Sequence, residues 1–483
     1  MAQVQSTHVA QRRSEKSGAQ AVDVQSAFER MKSAYRRAPV PTYEERIERL
    51  DRLMRAVRAR QDEIADVINR DFGNRSVRET KLAEVLMLLD AIKYLRKNLK
   101  AWMRPEKRHV SMTYKPARAR VHRQPLGVVG VISPWNYPLQ LALGPMATAL
   151  AAGNRVMIKP SEYTPGTSDL VRRLCADIFD AEVVSVITGG PEVGEAFSKL
   201  PFDHLVYTGS TAVGRLVMRA AAENLVPVTL ELGGKSPTIV HEDYPVEKAA
   251  ARIAWGKWAN SGQTCIAPDY LLVPESKLEA YVQALSDCAT RSYPTLADNP
   301  DYTSVVNERH YRRVLGLVED AVQKGARRVE VNPQNEKLAP ESRKIAPTLL
   351  LDVRDDMKVM QEEIFGPVLP IMTYRTLDEA LEYVNDHPRP LALYYFDQER
   401  ERVSRVLERT VSGGASINET MLHFGIDDMP FGGVGPSGMG AYHGREGFDT
   451  FSHKKSVLYQ AKWNLTGMLA EEKLFPDFFG PAS

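Results

Sequence analysis

Three side chains in the sequence could together form a nucleophilic site. Cys265 follows the glycine-containing segment Asn-Ser-Gly-Gln-Thr, just after a predicted helix, where a thiol can be presented to a substrate. Glu231 ends the apolar run Val-Thr-Leu-Glu before Leu-Gly-Gly-Lys, so its carboxylate could act as a general base. Asn136, flanked by Pro134 and Pro138, offers a neutral amide that could bind an oxyanion. Taken one at a time, the three are better explained as a buried cysteine, a surface carboxylate and a turn asparagine.

A second group of residues could bind a phosphorylated cofactor. The turn Gly209-Ser-Thr-Ala-Val-Gly214 follows an apolar run and opens a predicted helix, so its backbone amides and the positive helix end could face a phosphate. Its spacing differs from the GxGxxG of dinucleotide folds and from the P-loop. Lys159 and Glu162, in Ile-Lys-Pro-Ser-Glu, could bind ribose hydroxyls or form an exposed ion pair. No spacing typical of metal ligands, such as CxxC or HExxH, occurs, and no metal site is predicted.

The hydrophobic pattern indicates which elements position these residues. From about residue 126, short β-branched runs alternate with helical stretches, which predicts a parallel, doubly wound sheet. Because ligands bind at the carboxyl ends of such strands, the candidate residues fall where a site is expected. The predicted strands cover residues 128–132, 156–158, 183–187, 205–207 and 228–230. A second α/β unit is predicted from a helix through Trp255 and Trp258, a strand at 270–273, helices near Tyr281 and Tyr311, and strands near Leu349 and Leu391.

The remaining segments give local signals. Thr42 and Glu45 form a capping box, and the apolar residues from Leu82 to Ile92 recur at helical spacing. The segment 71–73 is interpreted as a helix end. The Gly- and Pro-rich run 430–440 is predicted to be a loop, and residues 118–121 could pair with 456–459 as an outlying arm. Residues 1–20 are polar and predicted to be a disordered tail.

The composition excludes several classes of partner. The 483 residues include 63 basic and 61 acidic side chains, so there is no charge footprint for nucleic acid or an anionic membrane. The three cysteines Cys175, Cys265 and Cys288 are too few for a disulfide framework, which favours a reducing, cytoplasmic compartment. No stretch of about 18 apolar residues occurs, and no apolar anchor follows Tyr459. We therefore expect a soluble protein of two or three domains that acts on a small molecule.

Taken together, six segments closely resemble the aldehyde dehydrogenase superfamily, whose members carry PWN, KPSE, a GST-x-x-G turn, ELGGK, GQ-x-C and E-x-FGP in this order. The resemblance covers the chain from about residue 20 to 460. The ordered set is specific, although each motif alone is not. The segments are Pro134-Trp-Asn136, Lys159-Pro-Ser-Glu162, Gly209 to Gly214, Glu231 to Lys235, Gly262-Gln-Thr-Cys265 and Glu363-Ile-Phe-Gly-Pro367.

Further segments are similar to the class 3 branch of the superfamily. They are Cys265 to Tyr270, Tyr442-His-Gly and Phe451 to Lys454. Within this branch, the stretch from Asn136 to Glu162 and the His-Gly-x-x-Gly-Phe pattern resemble bacterial coniferyl aldehyde dehydrogenases.

This resemblance implies an α/β fold of the aldehyde dehydrogenase type. A Rossmann-type NAD-binding domain would cover residues 21–110 and 126–231, and an α/β catalytic domain 232–435. A small β oligomerisation arm with the C-terminal segment would cover 111–125 and 436–483. Class 3 relatives imply a homodimer.

The resemblance also implies roles for the candidate residues. Cys265 would attack an aldehyde, the Asn136 amide and the Cys265 backbone N–H would bind the oxyanion, and Glu231 would activate the water that releases the acid. Lys159 and Glu162 would bind the adenosine ribose, and the Glu162 carboxylate favours NAD over NADP, although NADP remains possible. The other implied cofactor contacts are Trp135, Gly209, Ser210, Gly214, Leu232, Glu363 and Phe365.

Several alternatives remain. A CoA-acylating relative would lack the Glu231 base, a thiol-dependent esterase would need no nucleotide, and a non-catalytic homologue would have lost one of the three site residues. For the substrate we expect coniferyl aldehyde, oxidised to ferulic acid, with medium- or long-chain aliphatic or other aromatic aldehydes as the alternative. The aromatic residues suited to line its channel are Tyr137, Trp255, Trp258, His423 and Phe424, although the two tryptophans are better explained as helix core.

Overall fold

A computed structural model describes residues 24–462 of the chain. The predicted disordered tail at residues 1–20 and residues 463–483 of the predicted C-terminal segment lie outside the described residues. Within the described part the chain forms three sheets with helices around two of them, which confirms the predicted α/β class.

The strands are β1 (Glu106–Arg108), β2 (Arg118–Pro125), β3 (Val128–Ile132), β4 (Arg155–Lys159), β5 (Val184–Val186), β6 (His204–Thr208), β7 (Val228–Glu231), β8 (Pro237–Val240), β9 (Tyr270–Pro274), β10 (Arg327–Glu330), β11 (Thr348–Leu351), β12 (Val368–Tyr374), β13 (Ala392–Phe396), β14 (Gly414–Ile417), β15 (Gly438–Met439) and β16 (Ser452–Tyr459).

The helices are α1 (24–37), α2 (Tyr43–Ala59), α3 (Gln61–Phe72), α4 (Val77–Thr80), α5 (Met87–Trp102), α6 (Gln140–Ala151), α7 (Pro165–Ile178), α8 (Pro191–Ser198), α9 (Thr211–Ala222), α10 (Val246–Trp258), α11 (Leu278–Ser292), α12 (Glu308–Gln323), α13 (Lys358–Gln361), α14 (Leu377–Asn385), α15 (Arg400–Arg409) and α16 (Gly444–Thr450). Short 3₁₀ turns cover Met112–Tyr114, Ala259–Gly262, Glu275–Lys277, Pro340–Ser342 and Leu422–Gly425, and a π-helical turn covers Lys81–Leu86.

The six-stranded sheet has the order β15-β7-β6-β3-β4-β5, and all pairs except β15–β7 are parallel. It contains every strand predicted between residues 128 and 231. Successive β4 side chains face opposite sides: Val156 and Ile158 pack in one core with α6 and α7, and Met157 packs in another with α1 and α8. Helices on both faces confirm the doubly wound prediction.

The seven-stranded sheet has the order β10-β11-β12-β9-β8-β13-β14 and is parallel except at the β10 edge. The predicted strands at 270–273, near Leu349 and near Leu391, and the helices at Trp255, Tyr281 and Tyr311, are confirmed. The sequence did not predict β8, β10, β12 or β14. Pro237 begins β8 and Pro370 lies inside β12, and proline lowers the sequence signal for a strand.

The third sheet is the predicted arm. Ser456 pairs with Val121 and Tyr459 with Arg118, as predicted, and β1 adds a further strand on the other side of β2. The loop prediction for 430–440 is wrong at its end, because β15 pairs with the last residues of β7. Within residues 24–462, no helix combines the length and hydrophobicity needed to cross a membrane.

The first helices follow their local signals, with one exception. Thr42 caps α2 through the predicted box, and α3 ends at Phe72 before Gly73, whose φ is +80°. The predicted helix face from Leu82 onward is interrupted by the π-helical turn, which leaves Leu82 exposed, whereas Ile92 is buried. A π turn inserts one residue into the helical period, so Leu82, near the start of the turn, is out of phase with the buried face of α5.

Candidate active site

Parallel pairing brings the ends of four strands to one edge of the six-stranded sheet. Ile132 at the end of β3 pairs with Lys159 at the end of β4, and Thr208 at the end of β6 pairs with Glu231 at the end of β7. The segment that contains Asn136 follows β3 directly. The predicted base, oxyanion donor and ribose-binding residues therefore leave the sheet on the same side.

The cysteine loop has an unusual backbone. After α10 the residues Asn260, Ser261 and Gly262 all have positive φ, at 50°, 51° and 71°. Left-handed backbone costs a non-glycine residue about 1–2 kcal/mol, so it persists only where surrounding contacts enforce it. Here the Gln263 side chain donates to Ser304 O at 3.1 Å and the Asn260 backbone N–H donates to Glu79 Oε2 at 3.0 Å. This loop presents Cys265 just after the turn.

Asn136 and Cys265 are brought together by two contacts between their segments. The buried Asn136 amide donates from Nδ2 to the Gln263 carbonyl at 3.1 Å. The next residue, Tyr137, shares a 2.7 Å hydrogen bond between its hydroxyl and Thr264 Oγ1. Because an amide nitrogen carries two hydrogens, Asn136 keeps one N–H for another acceptor.

The thiol of Cys265 is held in its protonated form. Burial, followed by the negative charges of Glu363 and Glu231, raises its pKa to about 12, although the backbone amides of Cys265 and Ile266 favour the thiolate. A nucleophilic attack by this thiol therefore needs a base that accepts its proton.

Glu231 is a carboxylate without a partner. It is 3% exposed, and neither carboxylate oxygen has a hydrogen-bond partner among the described residues. Burial raises its pKa well above the ordinary value. Gly432 borders this carboxylate, since a Cβ there would be in van der Waals contact with Glu231 Oε1 at 3.4 Å. A raised pKa and free oxygens suit a group that must take up a proton near neutral pH.

Glu363 lies against the turn that follows Glu231. A Cβ at Gly233 would come within 2.1 Å of Glu363 Oε2, so only glycine allows this approach. Burial and the charge of Asp269 raise the pKa of Glu363 to about 8, opposed by the Gly234 backbone N–H and by Arg313. The Glu363 backbone carbonyl accepts from Arg313 Nη1 at 3.0 Å.

Trp135 and Phe365 are also brought together. Their ring centroids are 5.5 Å apart at 69°, and the Trp135 ring lies 4.9 Å from that of His310. Phe365 has φ +50°, and its carbonyl-side neighbour Gly366 accepts no side chain because a Cβ would meet Val314 at 2.8 Å. These rings, which are inclined to one another, form an aromatic cluster close to Glu363 in the chain.

The Gly209–Gly214 turn opens α9, a helix of 12 residues. Ser210 caps it by accepting from the Val213 N–H at 3.4 Å, and Gly209 N donates to Glu231 O at 3.0 Å. A Cβ at Gly214 would meet Leu232 Cδ2 at 2.6 Å, so this glycine lets the helix approach Leu232 closely. The ribose candidates Lys159 and Glu162 form an ion pair of 2.8 Å.

The sequence profile of the Aldehyde dehydrogenase family matches residues 5–457. This chain belongs to the aldehyde dehydrogenase family. A probable coniferyl aldehyde dehydrogenase of Caulobacter vibrioides is 53% identical over 92% of both chains. A coniferyl aldehyde dehydrogenase of a Pseudomonas species is 50% identical over 90% of both. Aldehyde dehydrogenase family 3 member A2 of Macaca fascicularis is 41% identical over 86% of this chain and 84% of its own, which confirms the class 3 similarity.

Solved aldehyde dehydrogenases have the same fold. The substrate-bound Staphylococcus aureus enzyme AldH superposes with a TM-score of 0.87 at 38% identity, over 94% of this chain and 99% of its own. A Mycobacterium tuberculosis aldehyde dehydrogenase complexed with NAD⁺ gives 0.83 at 31% identity, over 92% of both chains. The predicted fold is confirmed, and the family uses a nicotinamide cofactor.

The residues of this aldehyde dehydrogenase fit such a dinucleotide. Glu363 Oε1 is buried without a hydrogen-bond partner in the described part of the chain. The first amides of α9 have no intrahelical acceptor, as at any helix start, and Ser210 caps one of them. Beside them Val213 and Leu216 are exposed, which suits a flat base.

The aromatic residues that the sequence suggested for the substrate channel of the aldehyde dehydrogenase lie in different surroundings. Trp258 lies in the core, at 2% exposed, as the helix-core interpretation predicted. The same interpretation is wrong for Trp255, which is 44% exposed. Phe424 belongs to an aromatic cluster with Phe431 and His443, at centroid distances of 4.9 Å each, and neither of these two residues was predicted to line the channel. His443 stacks on Phe431 at 26°, and Gly432 next to Phe431 borders Glu231. His423 lies at the edge of the same cluster, 5.8 Å from Phe431.

Other charged groups near the aldehyde dehydrogenase site were also missed. Lys257 is fully buried, its ammonium has no hydrogen-bond partner among the described residues, and burial lowers its pKa to about 8. Lys235 forms an ion pair with Asp269, whose Oδ1 accepts from Ile364 N at 3.0 Å. Lys235 lay inside the ELGGK motif, but nothing in the sequence pointed to its partner.

Proposed function

We propose that this aldehyde dehydrogenase oxidises coniferyl aldehyde to ferulic acid with NAD as the hydride acceptor. The observation that carries the reaction is the hydrogen bond from the Asn136 amide to Gln263, two residues before Cys265, beside a buried and unpartnered Glu231. A nucleophile, an oxyanion donor and a base in this arrangement suit acyl chemistry.

The reaction begins with proton transfer from the Cys265 thiol to a base, for which Glu231 is the candidate. The thiolate adds to the aldehyde carbon, and the carbonyl oxygen becomes an oxyanion that accepts from the free Asn136 N–H and from the Cys265 backbone N–H. Bound NAD would accept the hydride that leaves this carbon, giving a thioester on Cys265. Glu231 first releases to solvent the proton that it took from the thiol. It then takes a proton from water, whose hydroxide attacks the thioester and expels the Cys265 thiolate, and Glu231 returns this second proton to give the thiol and the carboxylic acid.

We assign the cofactor-binding roles to residues by their positions in the family motifs. We assign the dinucleotide to residues 21–110 and 126–231 and the catalytic groups to 232–435, with the arm at 111–125 and 436–483. Lys159 and Glu162 would bind the adenosine ribose, Gly209, Ser210 and Gly214 the pyrophosphate beside Leu232, Glu363 the nicotinamide ribose, and Trp135 and Phe365 the ring. The Glu162 carboxylate disfavours a 2′-phosphate, which supports NAD over NADP.

Two observations support an aromatic substrate. The relatives from Caulobacter vibrioides and from a Pseudomonas species carry the coniferyl aldehyde dehydrogenase name. Phe424, Phe431 and His443 form a cluster of flat rings that reaches Gly432, next to the base. Such rings bind a planar phenylpropanoid by stacking and by apolar burial.

The test is NADH formation by the purified protein with benzaldehyde, coniferyl aldehyde, hexanal and decanal, with Cys265→Ala as the control. Turnover that favours coniferyl aldehyde and vanishes in Cys265→Ala is the expected result. Preference for hexanal or decanal would refute the substrate and keep the reaction. Ester hydrolysis without any NADH formation would refute the dehydrogenase itself.

We further propose a cytoplasmic homodimer. Cys175, Cys265 and Cys288 are all free thiols, and a nucleophilic thiol has to stay reduced. The strand β16 lies at the edge of the arm sheet, and its Leu458 and Tyr459 are exposed, as on a surface that pairs with a partner. Light scattering at micromolar concentration should give the mass of two chains, and a single-chain mass would refute the dimer.

A further inference from the structure

An arginine and a glutamate of opposite charge lie fully buried beside the segment that contains Asn136. Arg75 and Glu84 are each 0% exposed, and Arg75 Nη1 lies 3.1 Å from Glu84 Oε1. Glu84 belongs to the π-helical turn between α4 and α5, a type of turn that is frequent at functional sites. Replacing a buried ion pair by apolar residues often costs no stability, so a contribution to stability does not by itself account for this pair.

The pair holds the backbone at both ends of the segment from Asn136 to Gln140. Arg75 Nη1 donates to the Asn136 carbonyl at 2.7 Å. Glu84 Oε2 accepts from Leu139 N at 2.7 Å and from Gln140 N at 3.1 Å. The helix α6 has no side-chain cap at Leu139, so Glu84 satisfies amides that begin this helix without partners of their own. The position of Asn136 is therefore tied to two charges from another part of the chain.

The Arg75 guanidinium also reaches the neighbour of Asn136. It lies 4.9 Å from the ring centroid of Phe72 and 4.8 Å from that of Tyr137. The Tyr137 hydroxyl in turn bonds to Thr264, next to Cys265. A planar guanidinium can stack on rings and donate in its plane at the same time, which an ammonium cannot do.

We propose that Arg75 and Glu84 are positioning residues that fix the Asn136 amide, and through Tyr137 the Cys265 loop, in the geometry that binds the oxyanion. The inference rests on the role proposed above for Asn136. Neither charge touches the reacting atoms, and the pair acts through the backbone carbonyl of Asn136, the amides at 139 and 140, and the Tyr137 ring.

The first variant is Arg75→Lys. It keeps a positive charge opposite Glu84 but loses the planar guanidinium that donates to the Asn136 carbonyl and stacks on the rings of Phe72 and Tyr137. We expect kcat for aldehyde oxidation to fall about 10- to 100-fold, the range that a displacement of about 1 Å produces, with KM for NAD within about twofold. The matched control is Arg46→Lys. Arg46 is 2% exposed and also donates to backbone carbonyls, of Pro41 at 3.2 Å and Ala151 at 3.1 Å, but these lie away from the site. This control should keep wild-type kcat.

A mutant cycle with Asn136→Ala tests the route of the effect. Adding Arg75→Lys to Asn136→Ala should lower kcat by a clearly smaller factor than Arg75→Lys does in the wild type, because the Asn136 amide is already absent and only the route through Tyr137 remains. Losses that multiply independently would overturn the inference. So would an Arg75→Lys protein with wild-type kcat, or an equal loss in Arg46→Lys. Wild-type kcat in Asn136→Ala would instead refute the proposed function of Asn136, and the inference with it.

Arg75→Lys could fail to fold because Glu84 would remain buried without its full partner. The double variant Arg75→Met with Glu84→Gln removes both charges and keeps similar volumes. It should melt close to the wild type and still lose kcat about 10- to 100-fold, because the amide of Asn136 is no longer fixed. A well-folded double variant with wild-type kcat would overturn the inference.

Discussion

Replacing Gly262 by alanine tests whether the cysteine loop is held in place by direct backbone contact. Gly262 has φ +71°, and a Cβ there would lie 2.3 Å from the Gly366 carbonyl oxygen and 2.9 Å from that of Lys257. Ordinary contact begins at 3.4 Å, so the loop and Gly366 must separate by roughly 1 Å. Both obstacles are backbone atoms, which cannot rotate away as a side chain can.

The separation should slow the reaction more than it destabilises the fold. Displacing a reacting group by about 1 Å costs about a hundredfold in rate, or about 2.7 kcal/mol of activation free energy. The left-handed backbone adds about 1–2 kcal/mol of strain for alanine to the free energy of folding. We therefore expect kcat to fall about a hundredfold and the melting temperature to drop by a few degrees.

Steady-state kinetics with the preferred aldehyde and thermal unfolding measure both effects. The control is Gly316→Ala in α12, where a Cβ would meet nothing within 4 Å. That variant should keep kcat and gain up to about 1 kcal/mol of stability, since alanine favours a helix over glycine. Wild-type kcat in Gly262→Ala would refute the reasoning, because the loop would then have a second position that serves the chemistry equally well.

Three further outcomes follow from the buried charges. Glu231→Gln should slow both the first release of NADH and the later hydrolysis, with steady turnover lowered about 10²- to 10⁴-fold, because Glu231 is the proposed base for the Cys265 thiol and for water; rapid mixing measures both phases. Full turnover would exclude this base. Glu363→Gln removes a charge that raises the Cys265 pKa, so thiol alkylation by iodoacetamide should shift to lower pH, and an unchanged profile would contradict the coupling. Lys257→Met removes an unpartnered cation and should add about 1–3 kcal/mol of stability at pH 7 in urea unfolding. Because burial lowers the folded pKa of Lys257 to about 8, wild-type stability should rise with pH from about 8 towards about 10.4, and this rise should be absent in the methionine variant.

The sequence was informative wherever a single segment determines the structure. The strands from Val128 to Glu231 were predicted because continuous β-branched runs suit a sheet that is buried on both faces. The strands that start at or contain Pro237 and Pro370 were missed, because proline argues against a strand unless the neighbouring strands are known. The π-helical turn at Lys81–Leu86 gave no local signal at all.

The same distinction holds at the site. Asn136, Lys159 and Glu231 could be placed together from the sequence, because carboxyl ends of parallel strands share one edge. Arg75 could not, since its partner Asn136 is 61 positions away and the contact is made to a backbone carbonyl. A residue that acts through the backbone of another segment leaves no motif, and only the fold reveals it.

The pKa values of the three titratable groups of the site are all raised for the same reason. Burial is the largest contribution that raises the pKa of Cys265, of Glu231 and of Glu363. Each group therefore favours its neutral form, and each charge that does form makes the next one more difficult. The resting thiol is protected by this arrangement, and its activation needs a proton transfer within the site. Glu231, with both oxygens free and its own pKa raised, is the group best suited to accept that proton and later the proton of water.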